Sequence, residues 1–340
     1  MRAAVFKAVG RPLAIENRPD PVPGAGELVI QVGRCGVCGT DLAMSDGSGQ
    51  VFEANSIIGH EFAGEVVAVG HGVDRFRVGD RVTAMPYTGC GVCPSCVAGR
   101  PNFCSAFRGV AAGFAQYAPT AALTTMKLPS SLTLADGALI EPLAVGLHGA
   151  ALARIEPGQR VLVIGAGPIG LAAMHWARKL GAGPIAMTAS SRQREAIAMA
   201  LGASTFILAD TPQELPQLAA AALGAAPDLV IEAVGKPDLI AQSINCVRPG
   251  GPVVVLGFCS RPDTFVPAVA VWKEVRVQFS MTYSLAEFEH VARSLDRGEL
   301  EPRAMITDTI ALEAFPDAFE AMRHRTHQCK VMVDPWATRP

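Results

Sequence analysis

The chain has no surplus of charge, no long apolar run and no internal repeat, and each absence removes a class of function. Its 340 residues carry 29 Lys and Arg against 31 Asp and Glu, a net charge of −2. A nucleic-acid surface draws phosphates in with a basic excess, so no nucleic-acid partner is expected. No stretch approaches the ~18 uncharged apolar residues, unbroken by Gly or Pro, of a membrane-crossing helix, so no membrane span is expected either. The start, Met1-Arg2-Ala3-Ala4-Val5-Phe6-Lys7, lacks an apolar core and a cleavage pattern, so the expectation is no signal peptide and a cytoplasmic location. Low complexity is confined to an alanine-rich stretch around 218–226. What is present is a hydrophobic content of 50%, enough at this length for a large core and about two domains.

Of nine cysteines, four fall within fifteen residues: Cys90-Gly-Val-Cys93-Pro-Ser-Cys96, then Cys104. The spacing C-x2-C-x2-C-x7-C brings four sulfurs within reach of one tetrahedral cation, and four thiolates are the usual ligands of a closed structural zinc site. Gly91, Pro94, Gly99 and Pro101 supply the turns that fold such a loop around its metal. Disulfides and an iron–sulfur cluster are the alternatives. Without an export signal the thiols stay reduced, which favours metal over disulfides.

Residues 1–130 are rich in Gly, Pro and short β-type runs such as Leu28–Val32, Glu65–Val69 and Arg81–Ala84, the texture of a small, mostly β domain. From about 149 the pattern alternates between strand and helix. Val161–Ile164 is followed by a helical stretch over 168–180, then by strands at 184–188, Phe206–Leu208, Leu229–Ile231 and Val253–Leu256. That alternation predicts an α/β chain with a Rossmann, doubly wound parallel sheet over 149–284. The insertion would split a mostly β catalytic domain into 1–148 and 285–340.

Gly165-Ala166-Gly167-Pro168-Ile169-Gly170 matches G-x-G-x-x-G, following a strand and opening a helix, as dinucleotide binding requires. Gly165 permits the tight turn, Gly167 lets the backbone approach a pyrophosphate, and Gly170 allows close helix–strand packing. An NAD site places Asp or Glu at the end of the second strand to hold the ribose 2′-hydroxyl. Here Ala189 occupies that position, nineteen residues beyond Gly170, and Ser190, Ser191, Arg192 and Arg194 follow. Hydroxyls and guanidinium groups suit a 2′-phosphate, so NADP(H) is expected ahead of NAD(H).

Three further segments carry ligand chemistry: Cys35-Gly-Val-Cys38-Gly-Thr40-Asp41, Gly59-His60-Glu61 and Ile140-Glu141-Pro142. With the four-cysteine loop, the glycine fingerprint, Gly79-Asp80-Arg81-Val82 and Gly59-His60-Glu61-x2-Gly64-x5-Gly70-x2-Val73, the chain resembles the zinc-dependent medium-chain alcohol and polyol dehydrogenases, the family of sorbitol and threonine dehydrogenases. The resemblance implies a GroES-like fold for the catalytic domain and two zinc ions per chain. It assigns Cys38 and His60 as catalytic-zinc ligands, with Glu61 coordinating or in reserve, and puts Glu141 where the alcohol dehydrogenase branch has its last cysteine ligand. Asp41 would orient the His60 ring, and Thr40 would relay the alcohol proton.

Many relatives complete that relay with His at position 43, where this chain has Ala43. Lys330 falls where some relatives carry a basic pyrophosphate contact, although an exposed lysine before a strand is the simpler reading. Cys35 lacks a family role, Cys246, Cys259 and Cys329 read as buried small hydrophobes, and His148 and His175 as packing residues. Met44, Phe52, Phe107 and Met281 suggest an apolar substrate pocket. The implied activity is hydride transfer between NADP(H) and a secondary alcohol or diol and its carbonyl product, in a homodimer or homotetramer. An NAD-dependent polyol dehydrogenase, a zinc-free reductase and a non-catalytic nucleotide sensor of the same fold are the rivals.

Overall fold

Six short strands form one sheet; the first five are mostly buried apolar runs and the last is largely exposed. In the computed structural model these are Val161–Ile164, Ile185–Ala189, Thr205–Leu208, Leu229–Glu232, Pro252–Val255 and Arg276–Phe279. Every adjacent pair is parallel. Numbered by their place in this segment, the strands lie in the order 3-2-1-4-5-6. Such order needs a helical crossover after each strand, and Pro168–Lys179, Glu195–Ala200, Leu215–Leu223, Leu239–Cys246 and Pro267–Trp272 supply them. The order reverses at Val161–Ile164, so loops at the carboxyl ends of the first and fourth strands diverge and leave room for a ligand. The structure describes residues 1–340 except 49, 210, 325, 326 and 338–340, and the side chain of Pro212.

The chain divides into two compact units, Met1–Glu141 with Ser284–Pro340, and Pro142–Tyr283. Sequence texture places the first junction at 148/149. The difference arises because one helix, Leu134–Leu152, runs through it with Pro142 inside. No described helix is long and apolar enough to cross a membrane.

The first unit is built on a seven-stranded, mainly antiparallel sheet in which Glu27–Gly36 pairs with Glu61–Val69, Tyr117–Ala121 and the C-terminal strand Lys330–Asp334. Phe6, Phe62, Phe114, Phe315 and Phe319 are buried in its core, and the Phe114 and Phe315 rings lie 4.5 Å apart. Residues from both ends of the sequence therefore share one core. Arg303 ties them further, with its guanidinium bonded to both oxygens of the buried Asp136 at 2.7 and 2.8 Å.

Candidate active site

The helix Gly39–Asp46 starts at Cys38, whose sulfur accepts the Thr40 N–H at 3.5 Å. Three residues on, Asp41 turns back: its Oδ2 accepts the Cys38 N–H at 3.0 Å. The other oxygen, Oδ1, lies 3.1 Å from His60 Nδ1, and the carboxylate is fully buried. A buried carboxylate accepts, so Nδ1 carries a proton and Nε2 is the nitrogen left for a metal, which would take the place of any proton there. Loss of water disfavours a charged His60, but Asp41 and Cys38 outweigh it and hold the imidazole pKa well above its ordinary value.

One donor atom from each of Cys38, His60 and Glu61 lies within 4.8 Å of the others, close enough to share one cation. Glu141 is outside that group. It is buried in the helix Leu134–Leu152, just before Pro142. Cys35, also buried, is not part of the group; burial first, then the charges of Asp41 and Glu61, keep its thiol protonated. A sulfur, a ring nitrogen and a carboxylate make a mixed set that suits zinc and leaves room for an exchangeable ligand.

Lys330 corrects the sequence reading. It is 1% exposed, and its Nζ donates to both Glu61 oxygens at 2.7 and 2.6 Å and to the Val37 carbonyl at 2.9 Å. Gly36 makes the space: a Cβ there would stand 2.2 Å from Glu61 Oε2 and 3.2 Å from Lys330 Cδ. The ammonium is thus bound to a candidate metal ligand, with no surface exposure to offer a phosphate. Nothing local marks Lys330, which lies 269 residues from its partner. Only the pairing of the C-terminal strand with Glu27–Gly36 brings the two together.

The four sulfurs of Cys90, Cys93, Cys96 and Cys104 also lie within 4.8 Å of one another. A zinc tetrahedron with bonds of ~2.3 Å has edges of roughly 3.8 Å, so the group fits with small adjustment. Backbone N–H groups aim at the sulfurs, Cys93 at Cys90 and Ala106 at Cys104, both at 3.3 Å. The Val92 and Cys93 N–H groups pull the Cys90 thiol down to about 6, while desolvation pushes Cys96 up to about 12. Gly89, unmarked by the spacing, is also needed here, because a Cβ would lie 2.5 Å from Cys96 Sγ.

In the second unit, the glycine turn leaves a cradle. A Cβ on Gly167 would meet nothing within 4 Å, whereas one on Gly170 would strike the Gly165 carbonyl at 1.9 Å. The helix Pro168–Lys179 has Gly167 as its N-cap and no side-chain cap, so its first-turn N–H groups remain for a pyrophosphate. The second strand ends at Ala189. Arg192, expected on a 2′-phosphate, is bonded instead to both Glu195 oxygens at 2.7 and 2.8 Å. Arg194 is the arginine that reaches the glycine turn, with Nη1 3.3 Å from the Ala166 carbonyl. Ser190 and Ser191 lie between Ala189 and these arginines, and Ser191 Oγ donates to Gln193 at 3.5 Å.

Two of the expected pocket residues have structural roles. Phe52 packs edge-on to Phe6 at 5.8 Å, and the Phe107 ring lies 5.7 Å from Tyr87. Met44 is half-buried and Met281 exposed. Cys246 and Cys329 are buried as expected, but Cys259 is only half-buried. His148 and His175 are buried, the latter edge-on to Trp176.

Residues 24–130 match the alcohol dehydrogenase GroES-like domain family, and residues 168–297 match the zinc-binding dehydrogenase family. The chain is 33% identical to the sorbitol dehydrogenase of Bacillus subtilis, over 98% of its own length and 97% of that protein's. Its fold is similar to that of RspB, an alcohol dehydrogenase of E. coli solved with NADH. The TM-score is 0.87 and the identity 28%, covering 98% of this chain and 99% of that one. A zinc-binding dehydrogenase of Sinorhizobium meliloti bound to NADP is similar to the same degree, with TM-score 0.87, 29% identity and the same coverage. With both halves matched and the fold shared end to end, the chain belongs to the zinc-type medium-chain dehydrogenases, as an alcohol or polyol dehydrogenase that uses zinc and a nicotinamide cofactor.

Proposed function

We propose that the enzyme prefers NADP(H) and interconverts a secondary alcohol or diol with its ketone or aldehyde. The carrying observation is the end of the second strand: Ala189 puts a methyl group where a carboxylate would bind the ribose diol, and Arg194 stands at the glycine turn. When bound, zinc at Cys38 and His60 supplies Lewis acidity to the substrate oxygen, and the nicotinamide takes or gives the hydride.

The chain's own residues do the rest. Asp41 fixes the His60 tautomer and the Cys38 backbone together. Lys330 holds Glu61 by both oxygens, which keeps that carboxylate in reserve against the metal. Thr40 is half-buried in the first turn of the helix that Cys38 begins, where its hydroxyl can take the alcohol proton. Ala43 carries no group to pass that proton on, so water or another group completes the path, or reduction is the working direction. Thr40→Val should lower kcat about 10²–10⁴-fold, the usual contribution of an acid–base group, with little change in cofactor affinity. An unchanged oxidation rate would remove Thr40 from the path.

Cofactor choice is tested by steady-state kinetics with both dinucleotides. The double change Ala189→Asp with Arg194→Ala should swing kcat/KM toward NAD by about one to two decades, because a charge-assisted bond to the phosphate carries ~1.5–3 kcal/mol and a carboxylate repels it. One observation favours the rival, NAD-dependent polyol reading: Glu195 already neutralises Arg192. A wild-type kcat/KM higher for NAD than for NADP would decide for that rival.

A further inference from the structure

One buried carboxylate in the second unit has no part in the chemistry described so far. Glu232 closes the strand Leu229–Glu232, next to Val161–Ile164 at the point where the sheet order reverses, and is 1% exposed. Its Oε1 accepts the N–H groups of Val234 at 2.7 Å and Gly235 at 2.9 Å. Its main-chain carbonyl accepts those of Leu256 at 2.7 Å and Gly257 at 3.1 Å. One residue therefore holds the loops that follow two adjacent strands. The fit is tight: a Cβ on Gly257 would stand 2.3 Å from Glu232 Oε2 and 2.1 Å from Gly235 N. Burial pushes the Glu232 pKa up, against the pull of the Gly235 and Val234 N–H groups.

The turn that Glu232 holds is the wall behind the glycine fingerprint. A Cβ on Gly165 would lie 2.5 Å from Val234 Cγ2, and one on Gly170 3.4 Å from Ala233 Cβ. Ala233 N–H also donates to the Ile164 carbonyl at 2.9 Å, one residue before Gly165. A shift of the 233–235 turn is thus passed directly to the turn that cradles the pyrophosphate.

We propose that Glu232 is a positioning residue for the dinucleotide: its carboxylate fixes the 233–235 turn, and Val234 and Ala233 transmit that position to the glycine turn. The proposal rests on nicotinamide-cofactor binding and is independent of the choice between NADP and NAD. Glu232→Ala leaves two part-buried N–H groups without their acceptor. In the metal-loaded enzyme it should weaken NADPH and NADH by one common factor of at least about tenfold, with kcat at saturating cofactor within about threefold of wild type. Glu232→Gln keeps an acceptor oxygen and should restore the dissociation constants to within about threefold.

Should Glu232→Ala not fold, Val234→Ala removes the contact with Gly165, leaves the Glu232 bonds in place, and should itself weaken both dinucleotides. Fluorescence titration of NADPH and NADH without alcohol gives the dissociation constants. A folded Glu232→Ala with unmoved constants overturns the proposal alone, as does a Val234→Ala with unmoved constants where Glu232→Ala does not fold. A kcat that falls as far as the affinity, or a Gln variant as weak as the Ala variant, also overturns it. Wild-type protein that binds neither dinucleotide overturns the cofactor reading and this proposal together.

Discussion

Replacing Cys93 with serine should cost the chain one zinc and destabilise the fold by more than about 4 kcal/mol, the size of lesion that accompanies loss of a structural metal. Free energy of binding at a closed thiolate site is folding free energy, because the four sulfurs are brought together only in the folded state. The lobe has few other anchors. Cys90 is exposed, Cys93 and Cys96 are half-buried, and Val92 and Val97 face solvent. One backbone bond, Leu285 N–H to the Gly99 carbonyl at 2.8 Å, fastens it to a distant part of the chain. Cys38→Ser should also cost one zinc, and nearly all activity, yet leave the unfolding midpoint close to wild type. Its surroundings are held by the Asp41 network and a phenylalanine core. Metal analysis with urea unfolding separates the two variants, and equal loss of fold in both would contradict the division into a structural and a catalytic metal.

Lys330→Met should destabilise the protein by about 3–5 kcal/mol, because removing one partner leaves the other charge buried and uncompensated. Lys330 and Glu61 are 1% and 0% exposed, so solvent cannot screen the survivor. Burial works against the ammonium, but the Glu61 carboxylate outweighs it, so the Lys330 pKa lies above the ordinary lysine value. A raised pKa of this sign means the stabilisation is fully present below ~10.4 and is lost only as the pH climbs through the elevated value. The double variant Lys330→Met with Glu61→Leu should recover much of the loss, since an apolar pair of similar volume replaces the ion pair. Urea unfolding at neutral pH measures both. A single-variant loss below ~1 kcal/mol would mean that Glu61 has moved onto another cation, the metal being the nearest candidate.

How far the sequence carried the reading depends on the range of the interaction concerned. The glycine turn and the cysteine loop are local devices, each complete within about fifteen residues, and in the structure the turn opens a helix and the four sulfurs converge, as the spacing implies. Five of the six parallel strands were readable because burial writes them as apolar runs; the sixth, Arg276–Phe279, is largely exposed and carries no such run. Lys330 was not, because its partner is set by sheet pairing between distant segments and lysine is ordinarily a surface residue. Glu232 escaped notice for a related reason: an acidic residue ending an apolar strand looks solvated until the fold wraps two loops around it. Arg192 misled in the other direction. A run of hydroxyls and arginines gives composition, and only geometry shows that Glu195 holds one arginine while Arg194 faces the glycine turn.

The two oxygens of Asp41 serve different candidate ligands, one the Cys38 backbone and the other the His60 ring. In genetic terms the three positions form one unit. Loss of Asp41 loosens both ligands at once, ordinarily about 10–100-fold in metal affinity, so substitutions at the three positions should fall short of adding. A lineage that abandons metal chemistry on this scaffold therefore discards the rest of the trio at falling cost after its first step, whereas regaining it requires every member that was lost.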